Sequence, residues 1–470
     1  MRSDLTSTSG PLSLCRGWSP DRASPKPAPW PVVVPAHLLP RVQDAGAWVW
    51  IPRSRQRFID RVVTVKALYV SSSIGLGHVA KDLAIAQELR RLRPDTEILW
   101  LAGHPASDVL RSAGEHVLPE AERWRGASAI AERCTRDGRL NLVAYVYRSL
   151  PSWMVNARLF KAVLESRAID VAIGNEAYEV DIPLILRILR LRVPFVMIFD
   201  FVATDPMTPN LPERFGAWCL NALWSLDGGI YDGDPHSAIF IGEIGDIPSR
   251  SFGLALGGRR EHARDHYDVV GHVIGFDPQD FTDRGAWRGR LGYGEEPLIV
   301  CAVGGTSIGR DLLELCGQAF LPLRDALPDA HMVLVCGPRL APESLRAPAG
   351  VTVLGYVPRL YEHYACSDVA VVQCGASSTT ELAALRRPFI HFPIDGHFEQ
   401  EVVARRLARY GAGRRLSLTQ TTPAQLAAAI TQEYGRVAAW DAMPVDGARR
   451  AAQHVLRALD GRSGAPLSAS

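Results

Sequence analysis

Short apolar runs that end in glycine- or hydroxyl-rich loops and lead into helical segments recur in two series along this chain, and that alternation leaves few folds open. The first series begins with VKALYV, Val65 to Val70, which ends in SSSIGLGH. Leu83, Ala84, Ala86 and Leu89 follow at helical spacing, and then the strand-like EILWLAG, Glu97 to Gly103. Strand, loop, helix, strand is one βαβ unit. The pattern continues through DVAIG (Asp170 to Gly174), PLILRIL (Pro183 to Leu189) and PFVMIFDF (Pro194 to Phe201). A second series opens at PLIVCAVGG, Pro297 to Gly305, with a helix expected from near Arg310 to about Leu327 that Pro322 kinks or breaks. Strands at HMVLVCG, VTVLG, DVAVVQ and PFIHF then alternate with helical segments. This predicts an α/β chain of two Rossmann-like, doubly wound parallel-sheet domains facing a cleft.

The length, 470 residues, suits two such domains with a remainder. The boundaries read as an extension over 1–62, a first domain over 63–272, a second over 273–437, a C-terminal helix over 438–460 and a tail over 461–470. The extension is rich in Pro, Ser and Arg and has no periodicity, so it is expected to be disordered and dispensable. Its four tryptophans, Trp18, Trp30, Trp48 and Trp50, argue the other way. Val62, Val63 and Val65 stand at or before the first strand, and translation is expected to begin near them, since GTG encodes Val and also serves as a start in high-GC bacteria.

The formal net charge of +2 gives no global drive towards nucleic acid. Eight cysteines without a C-x-x-C pair exclude zinc-ribbon and thioredoxin readings, and Cys301, Cys336 and Cys374 sit in apolar runs as buried thiols of a reducing compartment. No apolar run approaches the ~20 residues of a membrane span.

The stretch from Gly355 to Gly413 carries the most chemistry. In CGASSTTELAAL a glycine and small hydroxyl residues open a helix, where free backbone N–H groups and hydroxyls make an anion site. Glu381, one turn further in, can reach a ribose whose phosphates occupy the helix end; taken alone, the segment reads equally as a capped helix with a solvated Glu. HFPIDGHFEQ delivers Glu399 and Gln400 before another helix, a carboxylate and an amide suited to vicinal sugar hydroxyls. In LGYVPRLYEH, backbone groups near Val357 can read a base edge.

The order GYVP, CGASSTTE, P…EQ resembles the nucleotide-sugar half of GT-B glycosyltransferases, and is similar to the UDP-glycosyltransferase superfamily and the bacterial GlcNAc transferase of peptidoglycan lipid-intermediate synthesis. The resemblance covers most of residues 297–415. It implies a UDP-linked sugar donor on the second domain, with Gly305, Thr306, Ser307, Gly375, Ser378 and Thr379 on the diphosphate, Glu381 on ribose, and Glu399 with Gln400 on the sugar. SSSIGLGHVAKDLAIA resembles the family's first loop, which makes the first domain the acceptor side. There Gly75 and Gly77 allow close approach, and His78 becomes the general base of an inverting transfer, with a packing or capping His as the plain alternative. An unperturbed imidazole, titrating near ~6.5, would be neutral at cellular pH. Glu176 and Asp200, at strand ends, are candidates to orient His78, contact the acceptor or cap a loop.

Two positions depart from the family: Gln373 stands where many members have a cation, and Val403 where Asn is frequent, so the sugar's identity does not carry over. Asp232 and Asp234 form a D-x-D, read as a turn rather than a metal site, and His391, Asp395 and His397 are read as loop and packing residues. No metal and no resident cofactor is expected; the nucleotide sugar is a co-substrate. LILRILRLRVPFVMIF is read as a buried helix and a central strand, with a membrane-surface role left open. The acceptor is a small molecule or lipid, not nucleic acid, and the expected location is cytoplasmic, with contact at the inner face of the membrane left open. An epimerase or hydrolase on this fold, or a non-catalytic sugar-nucleotide binder, are the alternatives.

Overall fold

A computed structural model describes residues 64–461 apart from 73–75, 127–129, 131–132, 137–138, 141, 233–234 and 305–308. The extension over 1–62 therefore lies outside the described residues, as do Gly75, Asp234, Gly305, Thr306 and Ser307. Everything described belongs to one unit, Val62–Ser470.

The first sheet is built from β1 (Val65–Ser71), β2 (Thr96–Ala102), β3 (His116–Val117), β4 (Val171–Asn175), β5 (Phe195–Phe199), β6 (His236–Phe240) and β7 (Tyr267–Val269). All pairs are parallel and the spatial order is β3-β2-β1-β4-β5-β6-β7. The second sheet comprises β8 (Leu298–Ala302), β9 (His331–Val335), β10 (Val351–Leu354), β11 (Val369–Gln373), β12 (Phe389–Phe392) and β13 (Arg414–Arg415), in the order β10-β9-β8-β11-β12-β13 and again parallel. β4, β5, β8 and β11 are buried along their whole length. Helices cover both faces, which is why these strands are continuous Val, Ile, Phe and Ala runs rather than alternating ones. In each sheet the order reverses beside the first strand, at β1/β4 and β8/β11. Ligands of doubly wound sheets bind at such switch points.

Seven helices matter to the site: α1 (Leu76–Leu92), α2 (Tyr178–Ile185), α3 (Leu211–Trp224), α4 (Arg310–Ala326), α5 (Ala376–Ala384), α6 (Phe398–Tyr410) and α7 (Gly447–Leu459). α7 follows the second sheet in sequence but packs on the first. Its Ala448, Ala451, Ala452 and Val455 join the core that holds Ile85 and Leu89 of α1. His454 fastens it further, with Nδ1 2.5 Å from Asp268 and Nε2 2.8 Å from Ser237 Oγ. The return requires glycine at its first residue, because a Cβ on Gly447 would stand 2.6 Å from His272 O.

Several expectations change. α7 starts at Gly447 rather than near residue 438. Pro322 lies inside α4 without ending it. β6 and β7 carry too little period-2 pattern to be read from the sequence. The segment read as a buried helix before β5 is helical only to Ile185; Arg187 turns left-handed at φ +56, and Leu186 and Ile188 are exposed.

Candidate active site

α1 begins where β1 ends, and its first turns carry three buried polar side chains, His78, Lys81 and Asp82. Asp82 anchors the helix to the sheet. Its carboxylate accepts from Tyr69 at 2.9 Å, Ser71 at 2.5 Å and Asn175 at 2.7 Å, so hydroxyls of β1 and the amide that ends β4 converge on one helix position. Burial nevertheless pushes its carboxyl up to about 6. His78 and Lys81, three residues apart, share a face of α1 and both meet Asp200, the residue after β5. Nδ1 of His78 lies 3.0 Å from Asp200 Oδ2, and the ammonium of Lys81 is bound to the same oxygen. All three side chains are less than one-tenth exposed.

Glu176, after β4, completes the group. Its carboxylate accepts from the Asp200 backbone N–H at 2.7 Å and from the Tyr178 hydroxyl. Its backbone sits at φ +49, a conformation a non-glycine residue holds when its surroundings fix it. Of the roles expected for the two acids, the geometry gives Asp200 the imidazole and Glu176 the support of Asp200.

Electrostatics overturn the expectation of a neutral histidine. Burial by itself would lower the proton affinity of His78, but the Asp200 carboxylate outweighs it, and the imidazole is raised to about 9 even against the charge of Lys81. Asp200 is held well below the usual carboxylate range: burial opposes this, and Lys81 and His78 overcome it. Glu176 is pushed up to about 7 by burial and by the Asp200 charge.

On the second domain, α5 starts at Gly375, which has no side-chain cap, so the helix presents its first N–H groups unblocked. Thr379, expected on the diphosphate, is fully buried and donates its hydroxyl to Gly375 O at 2.8 Å, which spends its proton inside the helix. Ser378 stays half-buried at the helix start. Among the described residues no hydrogen bond or ion pair holds the Glu381 carboxyl, and burial pushes it up to about 8. Gln373, at the end of β11, lies beside the Gly304 loop, where its Oε1 would be 3.6 Å from a Cβ on that glycine. Val357 is half-buried in the loop after β10, between the exposed Tyr356 and Pro358.

Glu399 and Gln400 occupy the first turn of α6. Gln400 is buried, and its Oε1 accepts from the Ile394 backbone at 2.8 Å, so the amide oxygen fixes the preceding loop and the NH₂ remains as a donor. Glu399 acts on His78 through space.

The two halves of the site meet. Ser377 Oγ, in the first turn of α5, donates to Gly77 O at 3.2 Å, and a Cβ on Gly77 would stand 2.8 Å from that hydroxyl. Phe201, next to Asp200, packs edge-on against Phe398, next to Glu399, with ring centres 5.6 Å apart. The loops at the carboxyl ends of both sheets thus face each other across the cleft. A second seam lies at the far end of α6, where Arg409 reaches Asp246 and Glu243 of the first domain at 2.7 Å each, and Arg406 lies 3.5 Å from Asp246.

Glu243, Asp246 and His272 are, among the described residues, the one group of acidic and histidine side chains close enough to share an ion; Arg409 already pairs with both carboxylates. His391 is buried and lowered to about 4 by that burial, as a strand residue in packing. Asp232 is bound to His266. Sequence reasoning missed Lys81; a lysine three residues after a candidate base, on the face turned to the sheet, was the available signal.

The comparisons with known proteins agree with this layout. Residues 299–439 match the glycosyltransferase family 28 C-terminal domain. A UDP-N-acetylglucosamine--N-acetylmuramyl-(pentapeptide) pyrophosphoryl-undecaprenol N-acetylglucosamine transferase of Symbiobacterium thermophilum is 31% identical over 380 residues, which are 76% of this chain and 84% of that one. The transferase of the same description from Thermobifida fusca is 26% identical over 344 residues, 72% of this chain and 77% of the relative. Among solved structures, the glycosyltransferase SnogD from Streptomyces nogalater superposes with a TM-score of 0.53 at 16% identity, covering 84% of this chain and all of that one. The kitacinnamycin glycotransferase gives 0.52 at 16% identity, with 85% and 96% covered. At such identity the likeness is one of fold.

Proposed function

Because this chain belongs to the glycosyltransferases of family 28, enzymes on the GT-B fold, we propose that it moves a sugar from a UDP-sugar onto a hydroxyl of a lipid-linked acceptor, with inversion and without a metal ion. The observation that carries this reading is the Ser377–Gly77 contact. It brings the start of α5 against the turn that holds His78, which supports a diphosphate held by one domain and a base offered by the other on either side of one anomeric carbon.

In the proposed reaction the acceptor oxygen forms a bond to that carbon as the bond from carbon to the diphosphate oxygen breaks. The acceptor proton passes to Nε2 of His78, whose Nδ1 faces Asp200, and UDP leaves with the electron pair. Unblocked N–H groups at the start of α5 steady the charge on the leaving diphosphate. By the family resemblance Gly305, Thr306 and Ser307 are assigned to the same diphosphate, Val357 to the nucleobase, Glu381 to the ribose, and Glu399 and Gln400 to the sugar. The transferase of Symbiobacterium thermophilum is described as acting on an undecaprenol-linked pyrophosphate, which supports a lipid-linked acceptor here. Exposed Leu211, Phe215 and Trp218 lie on one face of α3 and suit peripheral contact with a cytoplasmic membrane surface. Among the described residues no helix is long and apolar enough to cross a membrane.

Glu381→Ala is expected to weaken UDP binding about tenfold, because leaving the ribose hydroxyls without their buried partner costs roughly 1–3 kcal/mol. It should leave the unfolding midpoint in place, since among the described residues no hydrogen bond or ion pair holds that carboxyl. Calorimetry showing unchanged affinity removes the ribose assignment. Gln400→Ala is expected to raise KM for the sugar nucleotide while free UDP binds almost as before, because of the donor's parts only the sugar is proposed to meet the free NH₂ of this amide. Equal weakening of both ligands would make Gln400 a support for the Ile394 loop alone. Transfer itself is tested by UDP release from UDP-sugars with and without lipid acceptor: release that needs acceptor supports the proposal, and turnover without it indicates an epimerase or hydrolase.

A further inference from the structure

Two side chains of α1 converge on one oxygen of Asp200, and among the described residues the other oxygen has no partner. His78 Nδ1 and Lys81 Nζ both contact Oδ2, while Oδ1 is buried and finds no hydrogen-bond partner among the described residues. A buried lysine is uncommon unless it is paired, and here its partner is the acid that faces the proposed base. Nδ1 of His78 is close to Oδ2 but lacks the alignment of a hydrogen bond, whereas the ammonium makes one. Lys81 therefore has the better claim on that oxygen.

We propose that Lys81 is a positioning residue: it holds Asp200 by Oδ2 and shares that oxygen with His78, so that the carboxylate orients the imidazole without its whole charge being turned on the ring. This rests on the reading of His78 as the base. With Asp200 facing His78 alone in so dry a site, the imidazole would hold its proton more tightly still, and the neutral form that takes the acceptor's proton would be scarcer at every pH below its midpoint. A fixed positive charge on the shared oxygen counters that pull.

The charged and titratable groups around His78 come from four elements. Lys81 and Asp82 share α1 with it, Glu176 follows β4, Asp200 follows β5 and Glu399 opens α6. Of these, Lys81 is the cation, and the others are acids that favour the charged imidazole.

The test uses the full-length protein as wild type, Lys81→Met, Lys81→Gln and Lys81→Arg. Two readouts are taken: the His78 imidazole titration by NMR on histidine-labelled protein, assigned with His78→Gln, and the pH profile of kcat/KM. The Met and Gln variants should move the His78 midpoint up by about one pH unit, the scale of one close charge at the edge of a protein interior. The acid limb of kcat/KM should move with it, giving about a tenfold loss near pH 7.5 that recovers in alkali, and Lys81→Arg should restore the wild-type midpoint. An unmoved midpoint in variants that keep the wild-type thermal transition overturns the inference, as does an activity loss equal at every pH. A midpoint that moves without the rate profile supports Lys81's hold on His78 and removes His78 as the base instead, so the two readings fail separately. Should Lys81→Met not fold, Lys81→Gln and Lys81→Arg carry the same comparison.

Discussion

His78→Ala is expected to lower kcat by about 10²- to 10⁴-fold with UDP affinity unchanged, the range that a placed general base supplies. The imidazole stands on the first domain, and the nucleotide is proposed to sit on the second, so removal leaves the donor's contacts intact. Its titration sets the form of the pH profile. Because the folded imidazole is raised to about 9, kcat/KM should climb about tenfold per pH unit from neutrality and level off near that value. The same shift gives a stability term with a definite sign. A histidine whose folded pKa exceeds its unfolded one, near ~6.5, stabilises the fold fully below the lower value, and this contribution fades as pH rises through the higher. His78→Gln should therefore lose stability relative to wild type at pH 6 and little at pH 10. Wild-type turnover in the alanine variant, or a profile flat between pH 7 and 9, would sink the assignment.

Asp246→Ala is expected to destabilise the protein by roughly 3–5 kcal/mol, the usual cost of removing one partner from a buried ion pair. The side chain is fully buried. It binds Arg409 at 2.7 Å, accepts from the Glu243 backbone at 2.8 Å, and lies within 3.6 Å of Arg406 and His272. Burial raises such a carboxyl, but the arginines win and hold it below its ordinary value. The resulting stability is present above the unfolded carboxyl pKa, about 4, and is lost as pH falls below it. Glu243→Ala should cost far less, because Glu243 and Arg409 are both more than one-third exposed and water screens their pair. Urea unfolding at pH 7 separates the two substitutions; a change under about 1 kcal/mol for Asp246→Ala would mean that Asp246 contributes no more than an exposed ion pair to the seam on α6.

Much of the molecule is legible in its sequence. The central strands are buried on both faces, so β1, β4, β5, β8 and β11 had to be apolar runs, and their Gly and Ser loops had to follow at the carboxyl ends. Position in such a loop marked His78, Gly77, Gly375, Glu381 and Gln400, because the chemistry of helix starts is local. β6 and β7 were not legible: near and at the edge of the sheet, short strands such as Tyr267–Val269 bury too few side chains to impose a period. The helical period of α7 showed a helix, but not that its apolar stripe covers the first sheet rather than the second.

What the sequence determined by itself is therefore what adjacent residues decide: two doubly wound sheets, their loops, and the residue types offered at each loop. What the tertiary structure alone decided is which of those residues meet. Lys81 pairs with Asp200 across 119 positions, Arg409 with Asp246 across 163, and Ser377 with Gly77 across 300. The charge state of His78 follows from the first of these meetings. A lone histidine codes for a pKa near ~6.5, and only burial beside Asp200 and Lys81 moves it, because electrostatic energies depend on distance and desolvation rather than on order along the chain.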